Sequence, residues 1–275
     1  MTDRRADFFH PFMHPPVFDF HVHIYPEALA PKLVPDLAAR FGNPPSFDGT
    51  RAGYLAQMSN FSGALNLPVA TRPEQVRSVN NHAIATNLWP VLSLGSIHPD
   101  FPEPSAELRR IRDAGLRGIK LHPEYQTFTL DDPRMTAVWR ACDELGLLLM
   151  LHAGGELVFP APYRTSPALI AQFLDAYPRL TVAAAHLGGF QMWDESEAYL
   201  IGKNIYLDLS HTLNFCPPDQ LLRLIKNHPP EFLLFGTDAP WQDPAKILAD
   251  FLSLPLSLSL QSAILHENAA RLLGF

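Results

Sequence analysis

Short apolar runs alternate with longer stretches of helical periodicity from residue 17 to residue 238. The short runs cover 17–25, 63–67, 91–97, 118–122, 147–152, 181–186, 205–210 and 232–238, and each reads as a strand. Between them, 54–60, 73–86, 103–114, 133–145, 168–177, 195–201 and 220–226 carry apolar residues at helical spacing. Pro73 stands at the start of one of these stretches, and Gly115 and Gly146 close two others, as helix punctuation should. Several strands are near-continuous apolar runs, which is how strands covered on both faces look. Eight of them alternating with helices predict an α/β chain folded as a single (β/α)8 barrel. The barrel is expected to span 1–275 as one domain, with 1–16 an irregular lead-in containing Pro11, Pro15 and Pro16. Residues 26–53, rich in Pro and Gly, are expected to be a loop with short helices that elaborates the first βα connection. An open doubly wound sheet would need a Gly-rich phosphate turn after its first strand, and Pro26-Glu27-Ala28 stands there instead.

The first run departs from pure apolarity in an ordered way. Strand alternation sends Asp19, His21 and His23 to one side and Phe18, Phe20, Val22 and Ile24 to the other. Polar residues then recur at the ends of later strands: His98, Lys120, His122, His152, His186, Asp208 and Asp238. In a barrel those ends meet at one mouth, where barrel enzymes carry their chemistry. His21, His23, His152 and Asp238 together offer three ring nitrogens and a carboxylate oxygen, a shell that suits zinc or another borderline divalent ion with room for water. His186, at the end of the next strand after His152, can serve as a second-metal ligand, a general base or a group that polarises the substrate. Ala153-Gly154-Gly155, Leu187-Gly188-Gly189 and Ala239-Pro240 follow these residues and keep the mouth open. His98 reads as a turn residue and His211 as a cap for the segment after it. Arg51 and Arg164 lie on loops that can reach the mouth, where a carboxylate-bearing substrate would want an arginine fork.

Composition narrows the function classes. The 275 residues are 47% hydrophobic and 18% charged, with a net charge of −7 and acidic and basic residues interleaved. A polyanion groove needs Lys and Arg concentrated on one surface, so no nucleic-acid partner is expected. Cys142 and Cys216 lie far apart, which predicts no disulfide and a reducing, cytoplasmic setting. Neither a secretory leader nor a membrane span is expected. The alternating Ser and Leu of 251–260 read as packing or a subunit contact, and a homodimer is the default assembly.

Asp19-x-His21-x-His23, His152-Ala-Gly, Ala185-His186-Leu-Gly-Gly and Gly236-Thr237-Asp238-Ala-Pro, in this order, resemble the amidohydrolase superfamily. The resemblance is to its amidohydrolase-2 branch, which includes aminocarboxymuconate semialdehyde decarboxylases and related lactonases. The closing string Asn268-Ala269-Ala270-Arg271-Leu272 is similar to the helix that ends many members. The resemblance implies a divalent ion, zinc or alternatively manganese, one per chain rather than two, held by His21, His23, His152 and Asp238. It implies hydrolysis of a small-molecule ester, lactone or amide by a metal-activated water, with Asp238 or His186 taking the proton. Decarboxylation of a small carboxylic acid on the same parts is the alternative, and a binding barrel without turnover is a third. Lys120 sits about where some members carry a carboxylated lysine that bridges two metals. Its other readings are a substrate-binding group, with His122 beside it, or an ion pair with Asp19 or Asp208. TatD-like nucleases share the early and late motifs but usually place a glutamate at that fourth-strand position.

Overall fold

The computed structural model describes residues 15–275, so all of the expected lead-in except Pro15 and Pro16 lies outside the described residues. Eight strands follow in chain order: β1 Phe18–Val22, β2 Gly63–Asn66, β3 Val91–Ser93, β4 Gly118–Leu121, β5 Leu148–Leu151, β6 Val182–Ala184, β7 Tyr206–Asp208 and β8 Leu233–Leu234. All pair in parallel, β1-β2-β3 on one side and β4-β5-β6-β7-β8 on the other. Two bridges join the arcs, Gly95 with Ile119 and Val22 with Ala239. At the first seam Lys120 N–H donates to Gly95 O (2.8 Å); at the second Asp238 N–H donates to His21 O (2.7 Å). The cylinder is thereby closed, with each strand beside its neighbours in sequence.

Helices cover the outside, and proline opens Pro104–Asp113, Pro167–Ala176, Pro218–Asn227 and Pro244–Leu252. The first βα connection differs from expectation, because Ala30–Phe41 is a twelve-residue helix that includes Pro35. Packing outweighs the breaker: Ala30 and Val34 bury against Trp241 from the far end of the chain. The 251–260 stretch divides between the end of Pro244–Leu252, where Phe251 is fully buried, and the start of Leu258–Ser262. Among the described residues, no helix is long and apolar enough to cross a membrane.

One expectation fails at β1. Phe18 and Phe20 do not face the helices; they cluster with Leu65, Leu148, Met150, Ala183 and Leu234 inside the cylinder. The pairing with β2 explains it: Asp19 lies opposite Ala64 and Val22 opposite Asn66, so β1 advances three residues while β2 advances two. That extra residue is a β-bulge, and it reverses the facing of everything after it. Asp19 is therefore separated from the histidines and turned outward. Its carboxylate accepts from Thr237 Oγ1 (2.6 Å), Thr237 N–H (2.9 Å) and Tyr54 OH (3.0 Å), fastening β1 to the chain after β8. Burial pushes the Asp19 carboxyl up to about 7 even with these donors. The inner apolar cluster plugs the barrel below the mouth, each fully buried Phe or Leu contributing about 1.5–3 kcal/mol.

Candidate functional site

Above the plug, past the bulge, His21 and His23 project on the same side of β1. His21 Nδ1 donates to Asp208 Oδ2 (2.7 Å), and His23 Nδ1 donates to the Leu67 carbonyl (3.1 Å). With those protons placed, the second nitrogen of each ring, Nε2, faces Asp238 Oδ1, at 3.5 Å from His21 and 3.1 Å from His23. Asp238 Oδ1 is buried and has no hydrogen-bond donor. Its other oxygen, Oδ2, accepts from His211 Nδ1 at 2.6 Å. Two ring nitrogens and an anionic oxygen converging within one buried space, the oxygen otherwise unpartnered, form a donor set for a cation. Gly236 allows this closeness, since a Cβ there would lie 2.7 Å from the His21 Cβ.

The same count applies one strand-pair away. His152 Nε2 donates to Gly155 O (3.1 Å) and His186 Nδ1 to Ser210 O (2.9 Å). The remaining nitrogens, His152 Nδ1 and His186 Nε2, face each other at 3.3 Å. Burial keeps both rings neutral, lowering His186 to about 4 and His152 well below its usual value. Two acceptors thus meet with nothing to donate. Asp208 supports both halves: besides His21, it takes the N–H groups of His186 (3.0 Å) and Ser210 (3.0 Å). Burial opposes its charge, but the His21 ring, the His186 ring and the Ser210 hydroxyl outweigh burial and hold the carboxyl far below the carboxylate range.

Three groups of potential ligands result: His21 with His23 and Asp238, His186 with His211 and Asp238, and His122 with His152 and Glu156. His152 thus reaches the mouth but keeps closer company with His122 than with the β1 pair. The His122 and His152 rings stack at 4.0 Å and 9°, with Glu156 Oε2 at 3.3 Å from His122 Nε2 and 3.7 Å from His152 Nε2. Lys120 is on the inner face of β4, buried, with Nζ unpartnered. The arginines do not join. The Arg51 guanidinium donates to the Leu88 carbonyl (2.6 Å), and Arg164 lies along Glu124, with Nε 3.5 Å from Oε2.

Glu156 and His211 are the residues that sequence reasoning missed or underread. Glu156 stands four residues after His152, and nothing but that spacing pointed to it. His211 follows Asp208-Leu209-Ser210 at a strand end like the other site residues, and its φ of 50° joins those of His186 (60°) and Asp238 (61°). Non-glycine residues held in the left-handed region cluster where side chains must be aimed. Beside His211 opens a cleft of about 380 Å³ lined by Phe190, Phe215, Leu157 and Trp241 among others.

A model of the amidohydrolase family matches residues 18–275. Among curated proteins none matches the chain. Similar solved structures include an uncharacterised TIM-barrel protein from Bordetella bronchiseptica, at TM-score 0.76 and 20% identity over 94% of this chain and 98% of that one. A 5-carboxyvanillate decarboxylase from Sphingomonas paucimobilis aligns at TM-score 0.73 and 16% identity, over 94% of this chain and 99% of its own. Another, from Novosphingobium aromaticivorans, complexed with manganese and 4-hydroxy-3-methoxy-5-nitrobenzoic acid, aligns at 0.70 and 13%, over 96% and 97%. At these identities the likeness is one of fold, and the fold is the (β/α)8 barrel.

Proposed function

This chain belongs to the amidohydrolase family, and from that premise we propose that it is a metal-dependent enzyme hydrolysing a small-molecule ester, lactone or amide. The observation that carries the proposal is Asp238 Oδ1, a buried anionic oxygen without a donor, faced by His21 Nε2 and His23 Nε2. We assign the ion to His21, His23 and Asp238, with His152 Nδ1 as the further donor, one ion per chain. Nitrogen-rich donors with one carboxylate favour zinc, with manganese as the alternative. A divalent ion there supplies a Lewis acid and brings the pKa of a water to about 7.

The chain's own groups then divide the work. Asp238, pinned through Oδ2 by His211, keeps Oδ1 aimed at the histidines. His186, neutral and with Nε2 unprotonated, accepts a proton from the attacking water and returns it to the leaving group. Its other nitrogen is fixed on Ser210 O, so the ring does not turn away. Asp208 sets the His21 tautomer from outside the donor set. We take the unit that does this to be a single barrel domain. Cys142 and Cys216 are free and buried, which suits the reducing, cytoplasmic setting we assign.

A second reading, decarboxylation of a small aromatic acid, is favoured by the aromatic walls of the cleft beside His211. The fold likeness to 5-carboxyvanillate decarboxylases adds to it. Metal-loaded protein incubated with lactones, esters, amides and aromatic acids separates the two. Acid release without carbon dioxide supports hydrolysis, carbon dioxide release supports decarboxylation, and no turnover of any class refutes both.

A further inference from the structure

Lys120 is the buried group that the proposed reaction leaves unexplained. It sits on β4 opposite Met150, whose side chain belongs to the inner apolar cluster, and only 1% of the residue is exposed. Among the described residues Nζ has no hydrogen-bond partner and no ion pair. An ammonium has three donors, and burying them unmet is costly. The carboxylates that could form a structural pair are engaged elsewhere. Asp19 faces outward on Thr237 and Tyr54, and Asp208 is taken by His21, His186 and Ser210. Asp208, Asp238 and Glu156 act on Lys120 only at longer range, and burial, the larger influence, lowers the amine to about 8.

Lys120 is not alone in lacking partners. His122 Nδ1 and Tyr125 OH are also buried and unpartnered, and both lie just beyond it, on the corner from β4 into the helix Pro123–Gln126. The His122 and Tyr125 rings touch edge to face at 4.5 Å. Of the two, His122 feels the Lys120 charge, so an ammonium and an imidazole nitrogen, neither with anything to bind, lie near one another at the end of β4. Arg51 and Arg164, the other cations considered for an anion, are held at Leu88 and Glu124.

We propose that Lys120 is the carboxylate anchor of the substrate site, so that the substrate is a small molecule carrying a free carboxylate beside the group that reacts. The inference rests on the functional reading above and narrows it to carboxylate-bearing esters, lactones, amides or acids.

Calorimetric titration of the protein as purified, with benzoate and its neutral analogue benzamide, tests the assignment. Wild type is expected to bind benzoate at least tenfold more tightly than benzamide. Lys120→Met is expected to lose about 10- to 100-fold in benzoate affinity, the usual weight of a hydrogen bond to a charged group. Lys120→Gln, shorter and uncharged, moves the same way. Metal content of both variants stays at the wild-type value, and thermal stability of Lys120→Met equals or exceeds wild type because an unpaired buried charge is gone. Equal binding of benzoate and benzamide overturns the proposal, as does failure of wild type to bind acetate, benzoate or malonate. Undiminished benzoate binding by Lys120→Met, or a marked loss of its stability, overturns it too. A carbamate resonance after addition of ¹³C-bicarbonate, with two metal equivalents per chain, would instead make Lys120 a bridge between metals. Should wild type hold no metal while the benzoate preference persists, the hydrolase reading falls and the anchor stands.

Discussion

Asp208→Asn probes the site without touching the proposed ion. The Asp208 carboxylate receives four donors: Oδ1 takes the N–H groups of His186 and Ser210 (both 3.0 Å) and the Ser210 hydroxyl (2.5 Å), and Oδ2 takes His21 Nδ1 (2.7 Å). An asparagine has one acceptor oxygen, and the two fixed backbone donors decide its orientation, leaving its NH2 toward His21. A donor there forces His21 to accept at Nδ1 and carry its proton on Nε2, the atom that faces Asp238 Oδ1. The nitrogen needed for the ion is then blocked by a hydrogen. The fold persists, because the donors to Oδ1 keep an acceptor. Loss of a tautomer-setting partner typically weakens metal binding 10- to 100-fold, or about 1.4–2.7 kcal/mol. Competition against a fluorescent chelator gives the affinity, and long-range ¹H–¹⁵N spectra give the His21 tautomer. Wild-type affinity within twofold, with the Nε2–H tautomer present, would refute the reasoning.

Asp238→Asn is expected to keep the fold while lowering turnover roughly a thousandfold or more, since shape survives but the anionic donor does not; steady-state kinetics on a metal-loaded variant checks it. Glu107, fully buried under Arg110 (2.7 and 2.9 Å), Arg77 (2.9 Å) and Asn80 (2.8 Å), ties two outer helices together. Burial alone would raise its carboxyl, but Arg110 and Asn80 reverse this and hold it below the ordinary 4.5. A depressed carboxyl stabilises the fold above the unfolded value, and that contribution fades as pH falls through the folded one. Glu107→Gln should therefore cost about 1–3 kcal/mol at pH 7 in urea unfolding, with the gap to wild type closing below about pH 4. A gap that widens in acid would contradict the assignment. Gly154→Ala should cost roughly 2–5 kcal/mol, because φ is +81° and the new Cβ would lie 2.3 Å from Phe190 N; chemical denaturation measures it.

Much of the architecture was legible because barrel strands are punctuated apolar runs, and six of the eight end in a polar residue that the closed cylinder brings to one mouth; His98, after β3, instead accepts from the Asp100 N–H (3.1 Å). What was not legible depends on pairing. The alternation of 18–24 predicts one facing, yet a single extra residue against β2 turns Phe18 and Phe20 inward and Asp19 outward, and no property of β1 alone reveals a bulge. Residues 26–53 read as a loop with short helices, but burial of Val34 against Trp241, some two hundred residues later, holds a twelve-residue helix together through Pro35. Loop geometry is the other limit. The loops of Arg51 and Arg164 can reach the mouth, yet Leu88 and Glu124 hold their side chains elsewhere, whereas Glu156 and His211 arrive there through loop conformations that local sequence does not encode.

The measurement closest to the central claim is metal content per chain, by elemental analysis of protein purified without chelators, for wild type and for His21→Ala combined with His23→Ala. The account predicts close to one equivalent of zinc or manganese in wild type and none in the double variant. A wild-type protein still metal-free after incubation with both ions, or a double variant that keeps its full equivalent, would contradict it.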